Sequence, residues 1–201
     1  ASRGVTKSYS TSFYAGVRAL DKNIRDDVHA IYGFVRFADE IVDTFHDHDK
    51  ETLLAEFKAD TYKALDRGIS LNPILNSFQA SVNKHNIDRQ LIDQFLHSME
   101  MDLNPVEYEQ NTYEEYILGS AEVVGLMCLK VFVYGDEAEY QKLKPYAMKL
   151  GSAFQKINFL RDYSADYHEL GRLYFPGIDP TGELSVEDKM RIENEIQQEF
   201  D

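Results

Sequence analysis

Two acidic motifs, each with side-chain oxygens repeated at four-residue intervals in an apolar, helix-like context, most constrain how this chain can fold. The first motif contains Asp39 and Asp43, and the second contains Asn158, Asp162 and Asp166. Residues four apart lie on one face of an α-helix, so each motif predicts a short ladder of oxygen ligands. Carboxylates in such a ladder repel each other unless cations offset their charge. Two ladders facing each other would form a site for divalent metal ions, most naturally Mg²⁺.

A single pair of aspartates four residues apart is most often a solvated helix face with salt bridges. Here both motifs are embedded among apolar residues and lie on separate predicted helices, which favours a site. No cysteine or paired histidine accompanies them, which disfavours zinc. Protein-bound Mg²⁺ usually bridges one or two carboxylates to substrate phosphates, so the expected ligand is a phosphate or diphosphate. Arg36 and Arg161 lie beside the motifs and are positioned to contact phosphate oxygens.

Charge and cysteine content exclude several classes of protein. The chain has 201 residues and a net charge of −14, which argues against nucleic-acid binding. The one cysteine, Cys128, excludes an internal disulfide and fits a reducing compartment. We therefore expect a cytoplasmic location, with or without membrane association. The most apolar stretch, 116–134, contains Glu122 and Lys130, so we interpret it as a buried core helix.

Hydrophobic periodicity predicts an all-α fold. Apolar residues recur at helical spacing along most of the chain, and glycine, proline and capping residues punctuate the pattern. Gly68 is expected to end one helix, and Asn72 with Pro73 to begin the next. Thr112 and Glu115 predict a capping box before the most apolar helix. The last helix has no C-cap, so we expect one domain over 1–201 that is truncated at its C-terminus. The expected helices span 21–45, 52–65, 73–82, 88–101, 116–134 and 145–167, with a final helix capped by Ser185.

Four sequence elements in order resemble the squalene/phytoene synthase family. Residues 10–14 (STSFY) resemble its N-terminal element, and residues 32–43 resemble its first aspartate-rich motif in the D-E-x-V-D form typical of phytoene synthases. Residues 116–127 are similar to its Y-x-x-x-x-A-x-x-V-G-x-M helix. Residues 155–166, followed by 171–176, resemble its second metal motif and the loop after it. The four together are far more specific than any one alone.

The resemblance implies an isoprenoid-synthase helical bundle with a central apolar cavity and both acidic motifs at its mouth. It also implies a prenyltransferase that joins two geranylgeranyl diphosphates C1 to C1, through a cyclopropyl diphosphate, to phytoene of carotenoid biosynthesis. The implied metal is Mg²⁺, with Mn²⁺ as a substitute, and no NADPH is expected. Aromatic residues that the helical pattern places in the core would also line the cavity and stabilise a carbocation. Peripheral membrane contact for release of the hydrocarbon is left open.

The resemblance also assigns roles to individual residues. The expected catalytic residues are Asp39, Asp43, Asp162, Asp166, Tyr32 and Tyr116. The expected diphosphate-binding residues are Ser10, Ser12, Arg36, Gln155, Arg161, Arg172 and Tyr174. The expected metal ligands are Asp39, Asp43, Asn158, Asp162 and Asp166.

Two residues depart from the family pattern, and three other functions stay open. Thr11 stands where many relatives have a basic residue, and Glu122 stands where they usually have glycine. A buried carboxylate at Glu122 needs a partner or a raised pKa. The first alternative is a squalene, dehydrosqualene or presqualene diphosphate synthase acting on farnesyl diphosphate. The second is a non-catalytic family member, and the third is a head-to-tail prenyltransferase or terpene cyclase.

Overall fold

The computed structural model describes residues 1–103, 109–165, 168, 173–178 and 184–200. Within these ranges the chain is helical, with no strand, as the periodicity predicts, and Leu118–Glu122 form a π-helical segment between α-helices. None of these helices is long and apolar enough to cross a membrane. The elements are α1 (Ser2–Tyr9), α2 (Thr11–Ala19), α3 (Arg25–Thr44), α4 (Lys50–Arg67), α5 (Pro73–His85), α6 (Arg89–Leu103), α7 (Gln110–Ile117), the π segment (Leu118–Glu122), α8 (Val123–Phe132), α9 (Glu137–Ala165) and α10 (Val186–Phe200).

Helix α3 is the centre of the bundle. It packs against α1, α2, α4, α5, α6 and α8, while α9 packs against the π segment, α8 and α10. Phe34 of α3 is fully buried and stacks on Phe78 of α5, with ring centroids 3.8 Å apart. The Phe95 ring of α6 lies 5.3 Å from Phe34, so three helices meet at one aromatic contact. This core fixes the orientation of α3 and of its acidic motif.

A second buried cluster lies beside the first and is rich in aromatic residues. Tyr113 and Tyr116 of α7 pack there against Phe159 of α9 and Tyr174 of the 173–178 segment. Phe159 and Tyr174 stack with ring centroids 4.1 Å apart. Ile192 of α10 is fully buried in the same cluster. The second acidic motif is therefore carried by a helix whose inward face is aromatic.

A buried carboxylate joins α3 to α5. Asp27 accepts hydrogen bonds from Ser81 Oγ at 2.9 Å, Lys84 Nζ at 2.7 Å and His85 Nε2 at 2.9 Å. Burial opposes ionisation, but the bonds from Lys84, His85 and Ser81 outweigh it and lower the pKa of Asp27. This network, remote from the acidic motifs, is structural.

Several helix ends follow the local chemistry of the sequence. Asn72 accepts hydrogen bonds from the first turn of α5, and Ser185 Oγ accepts one from Asp188 N at the start of α10. Gly68 ends α4 in the left-handed conformation, with φ of 67°. These three boundaries were predicted from sequence.

Other boundaries were predicted wrongly. The capping box is wrong, because α7 begins at Gln110 and Thr112 lies within it. The predicted start of α9 is also wrong, because the helix begins at Glu137 and Pro145 lies inside it. Asp136 Oδ1 accepts a hydrogen bond from Glu139 N, so a side-chain cap starts α9 before the proline.

Gly119 lies in the π segment where this segment crosses α6. A Cβ atom at Gly119 would come within 2.6 Å of Gln94 O and 2.7 Å of Ser98 Cβ. A Cβ atom at Gly16 in α2 would meet no atom within 4 Å. A methyl group would therefore clash with α6 at Gly119 but would fit without contact at Gly16.

We predict opposite effects of the two Gly→Ala substitutions on the free energy of unfolding. Gly119→Ala should lower it by roughly 1–3 kcal/mol because of overpacking. Gly16→Ala should raise it by roughly 0.5–1 kcal/mol because alanine favours the helix. Urea denaturation followed by circular dichroism measures both, and equal effects would contradict this account of the crossing.

Candidate active site

The first acidic motif lies on α3, at half-buried positions. Burial and the neighbouring charge of Asp43 raise the pKa of Asp39 to about 7, and Asp102 of α6 adds to this effect. The guanidinium of Arg36 opposes the shift but does not cancel it. The site therefore has more negative charge than its own cations offset. A divalent ion would relieve this imbalance.

Arg36 lies one turn before Asp39 and has a defined position. Its Nη2 donates to Glu40 Oε2 at 2.7 Å, and its guanidinium lies 4.5 Å from the Tyr9 ring centroid. Its Nε is buried without a hydrogen-bond partner among the described residues. A buried donor without a partner is energetically costly, so an acceptor from a ligand would be stabilising here.

The N-terminal serines lie beside the same part of α3. Ser10 caps α2 by accepting a hydrogen bond from Phe13 N at 3.2 Å, and its Oγ is 3.5 Å from Ser12 Oγ. Phe13 stacks on Tyr32 with centroids 4.7 Å apart. Burial raises the pKa of Tyr32, and a hydrogen bond with Ser10 opposes this shift. The structure thus brings Ser10, Tyr32 and Arg36 close to one another.

Asp102 is a buried carboxylate that sequence reasoning missed. Tyr116 Oη donates to its Oδ2 at 2.7 Å, and Tyr174 Oη lies 3.4 Å from its Oδ1. Burial, followed by the charge of Asp102, raises the pKa of Tyr116 well above its ordinary value. The sequence could have revealed Asp102 through its spacing, because Phe95, Met99 and Asp102 lie on the same inward-facing side of a helix.

The second acidic motif lies on α9 and is more exposed. Arg161 donates to Asp162 through Nε at 2.8 Å and Nη2 at 2.5 Å, so this carboxylate is neutralised by its neighbour. Asn158 Nδ2 donates to Gln155 Oε1 at 3.4 Å, and Gln155 Nε2 donates to Ser120 Oγ at 3.3 Å. The predicted site residues Asp166 and Arg172 lie outside the described residues.

An apolar groove starts at this motif and runs between the π segment with α8 and the facing side of α9. Its volume is about 600 Å³, and it is open to solvent along part of its length, where Phe154 and Tyr146 are exposed. Asn158 and Gln155 form a polar end, and Phe13 brings the wall into contact with Tyr32. The other lining residues are Ser120, Ala121, Val124, Gly125, Cys128, Leu129, Phe132, Leu143, Ala147, Leu150 and Gly151.

The residue types around the motifs suit a hard cation. Their acidic and amide side chains offer only oxygen as a metal ligand, as Mg²⁺ prefers. Within the ranges that the structure describes, no three acidic, histidine or cysteine side chains gather into a metal-binding group. Diphosphate oxygens would complete the coordination, as Mg²⁺ commonly requires. On donor type and on the charge imbalance at Asp39, the residues fit this ion.

Glu122 also behaves as the sequence predicts. It is half-buried at the end of the π segment, and burial, with the nearby charge of Glu199, raises its pKa to about 7. Lys156 opposes this shift. Lys156 is itself buried and pairs with Glu195 and with Glu199, the latter at 2.7 Å. These ion pairs lie on the side of α9 that faces α10, and they join the two helices.

Comparison with known proteins decides the family. The family model described as squalene/phytoene synthase matches residues 6–197. The chain belongs to the squalene/phytoene synthase family. Members of this family are prenyltransferase-type enzymes that condense prenyl diphosphates.

Curated relatives in the family carry different product names. A presqualene diphosphate synthase from Rhodopseudomonas palustris is 32% identical over 170 residues, which cover 83% of this chain and 58% of the relative. A 15-cis-phytoene synthase from Paracoccus sp. is 27% identical over 176 residues, covering 84% of this chain and 56% of the relative. The chain thus spans less than three-fifths of the length of these relatives.

Solved structures of the same family share the fold. A dehydrosqualene synthase in complex with ligand superposes with a TM-score of 0.83 at 23% identity, covering 98% of this chain and 71% of the other. The squalene synthase HpnC from Alicyclobacillus acidocaldarius gives a TM-score of 0.84 at 19% identity, covering 99% and 79%. The predicted isoprenoid-synthase fold is confirmed.

We predict that the hydroxyls of Tyr116 and Tyr113 contribute oppositely to stability. Tyr116→Phe removes a bond to buried Asp102 and should lower the free energy of unfolding by roughly 1–3 kcal/mol. Tyr113 Oη is buried without a hydrogen-bond partner among the described residues. Tyr113→Phe should therefore be neutral or stabilising by up to about 1 kcal/mol. Urea denaturation of both variants measures the difference, and equal losses would refute the Asp102 contact.

We predict that the metal-free protein becomes less stable as the pH rises through 7. Asp39 has a folded pKa of about 7, above the ordinary aspartate value of about 4, so its ionisation is harder in the folded chain. Stability is therefore fully retained below the unfolded pKa of about 4 and lost progressively as the pH rises to the folded pKa of about 7.

Asp39→Asn should raise the melting temperature in EDTA at pH 8 by roughly 2–4 °C, which is about 1 kcal/mol for this chain length. At pH 5.5, between the unfolded and folded pKa values, the same substitution should raise the melting temperature by a smaller amount, and Glu122, whose pKa is also raised to about 7, contributes to the pH slope that remains in the variant. Asp60→Asn, at an exposed carboxylate of α4, is the control. An Asp39→Asn effect that is independent of pH would contradict the raised pKa.

Proposed function

We propose that this protein is an Mg²⁺-dependent prenyltransferase that joins two prenyl diphosphates C1 to C1, and that its helices act as one isoprenoid-synthase-type domain. The observation that carries the proposal is the position of Asn158, which belongs to the second acidic motif and also lines the polar end of the apolar groove. A ligand with an anionic head and a long apolar tail fits this arrangement. A prenyl diphosphate is such a molecule.

Side chains of this protein would bind the diphosphate groups from two sides. Arg36, with its unpaired buried Nε, and the hydroxyls of Ser10 and Ser12 lie on the α3 side. Gln155 and Arg161 lie on the α9 side. Fixed donors and cations stabilise the charge that develops as diphosphate leaves. Arg172 would add a further charge, as the family resemblance implies.

The metal would be held by Asp39 and Asp43 on one side and by Asn158, Asp162 and Asp166 on the other. When bound, Mg²⁺ supplies Lewis-acid neutralisation of the leaving diphosphate. For Asp162 to serve as a ligand, its carboxylate has to exchange the Arg161 guanidinium for the ion. The Arg161 guanidinium would then be able to bind phosphate oxygens of the substrate.

Aromatic and apolar walls would protect the carbocation that remains. The apolar walls of the groove would shield part of the prenyl chain from water. The Tyr116, Phe159 and Tyr174 rings form a compact group beside the second motif on α9. Ring faces attract a passing cation. Asp102 fixes the hydroxyl of Tyr116 through the 2.7 Å bond and so fixes the ring.

For the product, we propose phytoene from two geranylgeranyl diphosphates without NADPH. The D-E-x-V-D form of the first motif supports this choice. Presqualene diphosphate from farnesyl diphosphate is the second candidate, because two presqualene diphosphate synthases are 32% and 34% identical to this chain. Both candidates begin with the same condensation and differ in chain length and in the fate of the cyclopropyl diphosphate.

We predict that turnover requires divalent metal and both acidic motifs. EDTA should abolish product formation, and Mg²⁺ should restore it. Asp39→Asn and Asp162→Asn should each lower kcat by at least about 100-fold, because each removes a carboxylate that would hold the metal against the leaving diphosphate. Asp60→Asn should leave kcat unchanged. Chelator-insensitive turnover would reject the metal assignment.

The assay supplies each prenyl diphosphate separately, with and without NADPH, and identifies extracted products by mass spectrometry. Phytoene without NADPH supports the leading proposal. Presqualene diphosphate or a C30 hydrocarbon supports the second candidate. No condensation product from either substrate would contradict both.

A further inference from the structure

The start of the chain is basic, although the protein as a whole is acidic. Residues 1–25 contain five basic residues and a single acidic one, Asp21, whereas the whole chain has a net charge of −14. Asp21 Oδ1 accepts a hydrogen bond from Asn23 N in the connection between α2 and α3. The positive charge of this region is therefore a local feature set against an acidic background.

Folding gathers four of these cations around one concave pocket. The pocket has a volume of about 230 Å³ and lies where α1, α2 and the first turns of α3 meet. Arg3, Arg18, Lys22 and Arg25 line it, together with Asp26 and His29. Burial lowers the pKa of His29, so this ring adds no positive charge at neutral pH.

The four cations lack acidic partners of the kind that Arg36, Lys84 and Lys156 have. None of them makes an ion pair within the part of the chain that the structure describes, and Asp26, the one acid of the pocket, makes none either. Arg3 Nη2 instead donates to Tyr14 Oη at 3.2 Å, and Arg25 Nε donates to Leu20 O at 2.8 Å. These bonds orient the guanidinium groups without neutralising them.

Like charges around a small pocket repel each other, and an anion between them would offset this repulsion. Guanidinium groups bind phosphate oxygens through paired hydrogen bonds, whereas ammonium groups supply a point charge. The hydroxyl of Tyr14 stands at the same place, and the hydrogen bond from Arg3 lowers its pKa. Several oriented donors around one concavity suit an oxyanion with several oxygens.

We propose that this basic pocket, formed by Arg3, Arg18, Lys22 and Arg25, binds a phosphate-bearing anion, either free diphosphate or the headgroup of an anionic phospholipid. The pocket is separate from the candidate active site. His29 lies ten residues before Asp39 on α3, which is about 15 Å along the helix. The inference does not depend on the proposed prenyltransferase function.

The test measures binding by the full chain in EDTA at low ionic strength. Without metal the acidic motifs repel anions, so diphosphate binding reports on the basic pocket. One arm titrates sodium diphosphate by isothermal titration calorimetry. The other arm sediments the protein with phosphatidylcholine vesicles that contain or lack phosphatidylglycerol.

The test variant is Arg18→Gln/Lys22→Gln, and the matched control is Lys63→Gln/Arg67→Gln on α4, which removes the same charge elsewhere. Arg18 and Lys22 are exposed, so both variants should keep the fold, and thermal melting followed by circular dichroism checks this. The test variant should bind at least about tenfold more weakly in whichever arm the wild type binds, because charge-assisted contacts are lost. The control should bind like the wild type.

Each outcome decides the proposal. Diphosphate binding lost only in the test variant supports a free-anion site, and vesicle binding lost only in that variant supports a headgroup site. Absence of binding in both arms overturns the proposal. Equal binding by the test and control variants, whether retained or lost, also overturns it, because it would reflect another site or the net charge and not this pocket.

Discussion

A buried carboxylate needs hydrogen-bond donors, and the way Asp102 obtains them determines the arrangement of the candidate site. Its donor at 2.7 Å is Tyr116 of α7, and Tyr174 of the following segment lies close to its other oxygen. The same charge contributes to the raised pKa of Asp39 on α3. One acidic side chain on α6 thus connects the first acidic motif to the aromatic group against which α9 packs. Removing either tyrosine hydroxyl would weaken the stabilisation of a charge inside the bundle.

The protein separates its charges in space. Carboxylates concentrate at the two motifs, where Arg36 and Arg161 offset them in part, and unpaired cations concentrate at the outer junction of α1, α2 and α3. A cation is favoured at the first place and an anion at the second. Between these two places, α3 is fixed against α5 by the stacking of Phe34 on Phe78 and by the hydrogen bonds of Asp27. Helix α3 therefore carries residues of both electrostatic features, the first acidic motif and part of the basic pocket.

The sequence predicted those parts of the fold that depend on local chemistry. Asn72, Gly68 and Ser185 set helix ends through their own side chains or backbone, and these ends were predicted. The start of α9 was not, because an exposed proline can lie inside a helix whose other contacts stabilise it. Helices α1 and α2 were not predicted either, since they are short and are held by packing on α3.

The candidate site was predicted in part for the same reason. Repeated spacing revealed the acidic motifs, whereas Asp102 is a single residue whose partners come from distant positions in the chain. The pairing of Arg161 with Asp162 and the raised pKa of Asp39 also depend on three-dimensional environment. The roles of Asp166 and Arg172 stay predictions, because both lie outside the described residues.

The π segment sets the angular phase between α7 and α8. Each residue of an α-helix advances the side-chain direction by about 100°, so a wider turn at Leu118–Glu122 rotates everything that follows. Tyr116 before this segment points to Asp102, and Val124 and Cys128 after it point into the groove. A one-residue deletion here would leave a continuous helix but turn the groove wall away from the prenyl-sized space. The π segment thus allows α7 to face Asp102 while α8 faces the apolar groove.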